Sequence, residues 1–215
     1  MLITAGLLSP SSGTVRIASA EVRKPTTHAG IVFQDPTLYE WRRVLGNVLL
    51  PVELRRLDRE RYTQRARDLL RLVGLEGFER KYPFELSGGM RQRVGLCRAL
   101  VHDPPLLLMD EPFGALDALS RDQLNLELQS IWQTDRKTVL FITHSIPEAV
   151  FLSDRVVVMS PRPGRIGAMF EIDLPRPRAL DLVEASEFGR YAREIRAVFE
   201  SWGILTAGGR AQPWR

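Results

Sequence analysis

Short, wholly apolar runs alternate along this chain with segments of helical periodicity. The three strongest runs are Leu106–Met109, Val139–Ile142 and Val156–Met159. Such runs are typical of strands buried on both faces, as in a parallel sheet covered by helices. The alternating order of strands and helices therefore predicts an α/β fold with a mostly parallel sheet.

Helical patterns fill the segments between and before these runs. Between Val44 and Val73, apolar residues recur at three- and four-residue spacing, which is the spacing of one helix face. Four further helices are predicted, over residues 89–100, 119–134, 147–152 and 187–202. Because residues 45–100 contain helical patterns and no convincing strand, we expect this block to form a helical subdomain.

Composition argues against two broad classes of function. The 30 basic residues are interleaved with 26 acidic ones, which leaves a formal net charge of +4. No basic run is laced with aromatic residues, as a single-strand binding track requires, so we predict no nucleic-acid partner. No run approaches the roughly 18 apolar residues of a membrane-spanning helix, so a membrane role would depend on a partner protein.

The most informative local pattern is Leu86-Ser87-Gly88-Gly89, which is followed at once by a helical segment. The first turn of a helix has free backbone N–H groups and the positive end of the helix dipole. Such a turn can bind phosphate oxygens. A flexible turn in which Ser87 is only the N-cap is an equally good explanation of this pattern taken alone.

Two adjacent carboxylates, Asp110 and Glu111, follow the apolar run Leu106–Met109. They would lie at the carboxyl end of a buried strand, where open α/β sheets bind ligands. Asp110 suits a Mg²⁺ ion, which prefers carboxylate oxygens. Glu111 could polarise a water molecule that attacks a phosphate. A solvated acidic turn would explain the same two residues if nothing else supported a site.

His144 and Gln34 also come after apolar runs, Val139–Ile142 and Ile31–Phe33 respectively. In these positions the histidine could hydrogen-bond a γ-phosphate and the attacking water, and the glutamine could order a metal ion or water. Neither residue means much alone. The order and spacing of all four features along the chain favour a common site.

In that order the motifs resemble those of an ABC-type ATPase, over about residues 31–145. The matching segments are VFQDPTL for the Q-loop, LSGGMRQR for the signature motif, LLLMDEP for Walker B, ALD (Ala115–Asp117) for the D-loop and FITHS for the H-loop. The resemblance implies a P-loop NTPase-like fold. In this family two ATPase domains pair head to tail and enclose two ATP molecules with Mg²⁺.

The resemblance also implies roles, partners and a location. The expected roles are catalysis by Glu111, His144 and Gln34; Mg²⁺ binding by Asp110 and Gln34; binding of the partner subunit's ATP by Ser87, Gly88 and Gly89; and a place at the dimer seam for Asp117. The expected partners are a second ATPase subunit, membrane permease subunits and an extracytoplasmic solute-binding protein. The chain would be peripheral, at the cytoplasmic face of the inner cell membrane.

Four segments follow from this resemblance. They are residues 1–43, a remnant of the catalytic core with the Q-loop; 44–100, the helical subdomain ending in the signature helix; 101–175, the core with Walker B, D-loop and H-loop; and 176–215, a C-terminal helix and tail.

One motif of the family is missing. A phosphate-binding loop has the pattern G-x-x-x-x-G-K-[ST], in which glycine N–H groups surround the phosphates and a lysine neutralises them. Here Lys24, Lys81 and Lys137 each follow an arginine. We favour an N-terminal truncation that removes this loop and its strands. A degenerate partner or gene fragment that contributes only the signature face is the alternative, and under either we expect the chain alone to bind ATP poorly.

Residues 35–53 and 159–166 resemble the subfamily of importers for nitrate, sulfonate, taurine and similar small solutes. A Trp-Arg pair after the Q-loop, here Trp41-Arg42, is typical of that subfamily. Packing of Trp41 against the helical subdomain would explain the same residue.

Overall fold

The computed structural model describes residues 1–134 and 136–204, which divide into two compact units between Ile142 and Thr143. The strands are β1 (Arg16–Ile17), β2 (Ala20–Glu21), β3 (Ala29–Val32), β4 (Leu106–Asp110), β5 (Thr138–Ile142), β6 (Arg155–Met159) and β7 (Ile166–Glu171). The α-helices are α1 (Val44–Val48), α2 (Leu50–Leu54), α3 (Arg59–Leu72), α4 (Gly88–Leu100), α5 (Ala118–Thr134), α6 (Ile146–Leu152) and α7 (Ser186–Ser201). The tail predicted at the end of the segment 176–215 lies outside the described residues.

A parallel sheet in the order β3-β4-β5 organises the first unit. Leu108 of β4 is opposite Ile31 on one side and Leu140 on the other. Because β4 is the central strand, Leu107, Leu108 and Met109 are at most 1% exposed. The sheet confirms the predicted parallel arrangement, and it brings the carboxyl ends of three strands to one edge.

The expectation that all three apolar runs are buried strands is correct only for β4. Leu140 of the edge strand β5 is 40% exposed, and in β6 the residues Val157 and Met159 are 43% and 53% exposed. Strand β6 pairs with β7 in an antiparallel ladder of the second unit, not with the parallel sheet. An edge or hairpin strand has only one covered face, whatever the hydrophobicity of its other residues.

The predicted helices are present, with one interruption. The helical pattern that begins at Val44 is divided at Leu49 between α1 and α2. Pro51 is the cause, because proline has no N–H to donate and its ring clashes with the carbonyl four residues earlier. Helix α3 begins after Asp58, whose carboxylate accepts the N–H groups of the first turn, and Gly74 follows its end with φ +69°.

Helix α4 lies very close to strand β3. A Cβ atom built on Gly30 would stand 2.2 Å from the carbonyl oxygen of Ala99. Only glycine permits this approach, so the helix that begins at the signature motif is held directly against the strand that leads to Gln34.

The second unit contains the β6–β7 hairpin with α6 and α7. Its most buried polar residue is Arg178, at 1% exposure. The Arg178 guanidinium donates to the carbonyl oxygens of Val150 and Phe151 at 2.9 Å and of Ser153 at 2.8 Å. Desolvation lowers the pKa of Arg178 to about 10, so it remains a cation that caps the carboxyl end of α6 at neutral pH.

The predicted C-terminal amphipathic helix is confirmed as α7. Phe188, Tyr191 and Ile195 form its buried face, at most 6% exposed, with the three- and four-residue spacing of one helix side. Within residues 1–134 and 136–204, no helix combines the length and apolarity needed to cross a bilayer.

Candidate functional site

The carboxyl edge of the parallel sheet brings Gln34 and Glu111 together. Gln34 follows β3, and Glu111 follows β4, whose last residue is Asp110. A Cβ atom built on Gly114 would lie 3.5 Å from Gln34 Nε2 and 3.7 Å from Glu111 Oε2. The Gln34 amide and the Glu111 carboxylate therefore both lie close to Gly114, as the sequence predicts for residues that follow adjacent parallel strands.

The backbone at Glu111 adopts a strained conformation. Its φ is +43°, in the left-handed region that non-glycine residues rarely enter. Two hydrogen bonds hold it: the Glu111 N–H donates to the Ile142 carbonyl at 2.9 Å, and the Gly114 N–H donates to the Glu111 carbonyl at 3.1 Å. Strain of this kind is often found at functional sites and persists where the surroundings fix it.

The Ser87–Gly89 turn begins helix α4, as predicted. Ser87 is the N-cap, and its hydroxyl oxygen accepts the Met90 N–H at 3.3 Å. Ser87 and Gly88 are exposed. The N–H groups of the first turn of this helix have no acceptor within the helix, so an anion could approach them from solvent.

Asp117 lies near this turn, because Ser120, its hydrogen-bond partner, also lies close to Gly89. The Asp117 carboxylate accepts the Ser120 N–H at 2.9 Å and the Ser120 hydroxyl at 2.6 Å, and these bonds lower its pKa. A Cβ on Gly89 would stand 3.9 Å from Ser120 Oγ. The predicted signature turn and the predicted dimer-seam residue are therefore neighbours on one exposed surface of the first unit.

His144 belongs to the second unit, and its side chain is exposed. Its two neighbours are fixed by hydrogen bonds to each other and to helix α6. The Thr143 hydroxyl donates to the buried carboxylate of Glu148 at 2.6 Å, and the Ser145 N–H donates to the Thr143 hydroxyl at 2.9 Å. These bonds set the backbone on both sides of the histidine at the start of a short helix.

Asn47 is a structurally important residue that was not among the predicted site residues. This residue is fully buried, and its side chain holds the segment that follows Gln34. Asn47 Oδ1 accepts the Tyr39 N–H at 2.8 Å, and Nδ2 donates to the carbonyl oxygens of Tyr39 at 3.1 Å and Arg42 at 2.9 Å. A polar residue at an apolar position of the helical pattern, directly before Val48, was the available sign.

The alternative explanation for Trp41 is wrong. Trp41 is 75% exposed, so it does not pack into the helical block. Its ring stacks on that of Tyr39, with 4.8 Å between centroids.

The residues present fit Mg²⁺, and they provide one of the two protein surfaces that would bind the phosphates of ATP. Asp110 and Gln34 offer the oxygen ligands that Mg²⁺ prefers, and Mg²⁺ usually takes its remaining ligands from phosphates and water. No cluster of three or more His, Cys, Asp or Glu side chains that could hold a metal ion occurs in the described parts of the chain. The signature turn fits phosphate oxygens, whereas the sequence contains no glycine-lysine cradle.

Comparisons with known proteins agree with this geometry. The family model described as ABC transporter matches residues 1–114. An ABC transporter ATP-binding protein of Methanocaldococcus jannaschii is 50% identical over 186 residues, which are 86% of this chain and 70% of that protein. The taurine import ATP-binding protein TauB of Rhizobium johnstonii is 46% identical over 202 residues, which are 92% of this chain and 77% of that protein.

Solved structures show the same likeness. A dimeric ATP-binding cassette in a post-hydrolysis state, bound to ADP and Pi, superposes with a TM-score of 0.68 at 29% sequence identity. The match covers 80% of this chain and 78% of the cassette. The predicted α/β fold of an ABC ATPase domain is thereby confirmed, and the chain belongs to the ABC transporter family of ATP-binding proteins.

Proposed function

We propose that this chain is the ATP-hydrolysing subunit of an ABC importer, coupled to transport through membrane subunits. The observation that supports this most is the meeting of Gln34 and Glu111 at the carboxyl edge of the sheet, on a chain that also presents an exposed signature turn. Two of its relatives, TauB of Rhizobium johnstonii and TauB of Pseudomonas syringae, are taurine import ATP-binding proteins.

The proposed solute class is nitrate, sulfonates such as taurine, or a similar small solute. Support comes from the TauB relatives at 46–48% identity and from the Trp41-Arg42 pair. The solute itself would be selected by an extracytoplasmic binding protein and membrane permease subunits. On this proposal the chain is a peripheral protein at the cytoplasmic face of the inner membrane.

The proposed chemistry gives each predicted site residue a role. ATP supplies the phosphoanhydride bond, and Mg²⁺ would be held by Asp110 and Gln34. The Glu111 carboxylate would accept a proton from the attacking water, and His144 would hydrogen-bond that water and the phosphate. Ser87, Gly88 and Gly89 would bind the partner subunit's ATP, and Asp117 would lie at the seam between the two ATPase subunits.

The four-segment division stays part of this proposal, and the helical block between Gln34 and Ser87 is the proposed surface for the membrane subunits. This block contains a depression of about 700 Å³. Its lining includes the four arginines Arg43, Arg59, Arg67 and Arg80. Trp41 and Phe84 in the same block are 75% and 68% exposed. Exposed aromatic and arginine side chains are the types most enriched at the energetic centres of protein interfaces.

A second candidate function is that of a non-catalytic partner that contributes only its signature face. The specific observation in its favour is that none of the three lysines follows a glycine. Such a subunit would stimulate a complete ATPase through Ser87–Gly89 and would not need Glu111.

Uptake of radiolabelled taurine tests the importer proposal directly. A strain lacking the chain should lose ATP-dependent uptake of taurine or of a competing sulfonate or nitrate. Wild-type chain should restore it, and the Glu111→Gln variant should not. Unchanged uptake of every solute in this class after deletion would contradict the proposed transport function.

A further inference from the structure

Arg98, on helix α4, binds the backbone of the turn that follows Gln34. Its guanidinium donates to the carbonyl oxygen of Pro36 at 2.5 Å, to that of Thr37 at 2.9 Å and to the Thr37 hydroxyl at 3.2 Å. These partners are 61 and 62 residues away in sequence. The signature helix is therefore attached to the Q-loop by three bonds from one side chain.

The same face of α4 makes two further contacts with this segment. Gln92, which is 3% exposed, donates from Nε2 to the carbonyl of Phe33 at 3.1 Å. A Cβ on Gly95 would stand 3.2 Å from Pro36 Cβ, so the helix and the turn are in close contact there. Residues 92, 95 and 98 lie one helical turn apart, and together they hold the chain on both sides of Gln34.

The turn is strained at the residue that Arg98 binds. Thr37 has φ +45°, and a β-branched residue in this region is an outlier. Such a conformation persists only where the surrounding structure over-determines it. Here the Thr37 N–H donates to the Asp35 carboxylate at 3.0 Å, and the bonds from Arg98 complete the restraint. Arg98 is partly buried, so its charged hydrogen bonds are stronger than they would be in water.

We propose that Arg98 is a positioning residue that couples the signature helix to Gln34 by holding the Pro36–Thr37 turn in its left-handed conformation. The inference rests on the proposed function. In that proposal Gln34 acts at the chain's own ATP. The Ser87–Gly89 turn, at the other end of α4, binds the partner's ATP. When α4 shifts as the signature turn binds the partner's nucleotide, Arg98 transmits the shift to Gln34, so that the two ATP sites respond together.

Hydrogen–deuterium exchange on the purified chain tests the contact without any need for activity. Arg98→Ala should speed exchange of the amides of residues 34–41 on the order of tenfold or more, because the charged hydrogen bonds that restrain the turn are lost. The exchange rate in Arg98→Lys should lie between those of the wild type and Arg98→Ala, since an ammonium group reaches the carbonyl oxygens but lacks the planar fork of a guanidinium. The matched control is Arg71→Ala on the exposed face of α3, which should leave this segment unchanged.

Thr37→Gly provides an independent variant. Glycine adopts positive φ without strain, so removal of Arg98 should speed exchange less in a Thr37→Gly background than in the wild type. Equal effects in the two backgrounds, or unchanged exchange in Arg98→Ala, would overturn the proposal.

Turnover in the assembled membrane complex tests the coupling to Gln34. Arg98→Ala should reduce kcat by about tenfold or more with little change in KM for ATP, while its melting temperature stays near that of Arg71→Ala. Arg98→Lys should recover part of kcat. Normal kcat in Arg98→Ala despite a loosened turn would overturn the coupling. A wild-type complex without any turnover would instead contradict the proposed function, and the exchange data would then decide the role of Arg98.

Discussion

Two residues near the candidate site hold left-handed backbone conformations that glycine would adopt more easily. Glu111 has φ +43° and Thr37 has φ +45°. In both, the side chain type is required by something other than the backbone: a carboxylate at the sheet edge, and a hydroxyl that accepts a bond from Arg98. Retention of strain at such positions is what a functional constraint on the side chain would produce.

The places of the candidate site residues at the ends of strands and helices could be predicted from sequence, and the hydrogen bonds that restrain them could not. Gln34, Ser87 and Glu111 follow from local patterns, because each comes directly before or after a recognisable strand or helix. Arg98 and Asn47 act on backbone groups elsewhere, through bonds that no local pattern encodes. The positive φ at Thr37 was equally hidden, since threonine is not the residue that a left-handed turn normally selects.

His102 gives a prediction about the pH dependence of stability. Burial, with Arg55 nearby, lowers its pKa to about 4, and its Nδ1 atom is buried with no hydrogen-bond partner among the described residues. Between pH 6.5 and 4 the unfolded chain therefore binds a proton that the folded chain does not. The stability that depends on neutral, buried His102 is fully present above pH 6.5 and is lost as the pH drops to 4.

Urea unfolding of wild type and His102→Gln across this pH range measures the effect. The difference in unfolding free energy between the two chains should change steadily from pH 6.5 to 4 and level off outside that window. A difference that does not vary with pH would show that His102 is not buried in its neutral form.

At the scale of elements, the central strand β4 should be the most sensitive to loss of packing. Leu108 is 0% exposed, and Leu108→Ala should cost about 2–5 kcal/mol of unfolding free energy through lost burial and a cavity. The matched control is Leu54→Ala on α2. Leu54 is 76% exposed, so its truncation should change stability by less than about 0.5 kcal/mol.

Chemical denaturation of the two variants checks this prediction. Similar midpoints for Leu108→Ala and Leu54→Ala would contradict the central position of β4 in the packed sheet.

Sequence periodicity predicted the existence and the bounds of elements better than their positions in the fold. Helices α4 to α7 and strands β4 to β6 begin and end within two residues of the predicted segments, because caps and apolar periodicity are local properties. The run Val156–Met159 was misjudged, since four apolar residues in a row look the same in a central strand and in a hairpin. Its partner β7 was missed because its apolar residues follow a segment broken by Pro161 and Pro163.

At the scale of the whole molecule, the chain contains one half of each proposed ATP site. The carboxylate edge and the signature turn are both present, and they serve different nucleotides in the proposed dimer. The sequence has no lysine that follows a glycine, so nothing in it neutralises the phosphates as a P-loop lysine does.

We therefore predict that the purified chain binds Mg-ATP weakly on its own. Titration by calorimetry should give no saturation in the micromolar range, where a complete phosphate cradle would. Micromolar affinity that is abolished by Asp110→Ala would contradict this prediction and would identify a phosphate site built from other residues.

The most direct test of the account is ATP turnover by the complex assembled from the chain, its membrane subunits and its partner ATPase. Glu111→Gln and Ser87→Ala are compared with wild type, and Ser130→Ala on the exposed face of α5 is the control. The account predicts that Glu111→Gln lowers turnover by at least about 100-fold, that Ser87→Ala also impairs turnover, and that Ser130→Ala leaves turnover unchanged. Near-normal turnover in Glu111→Gln, with activity still dependent on Ser87, would contradict it and leave the chain as a donor of the signature face alone.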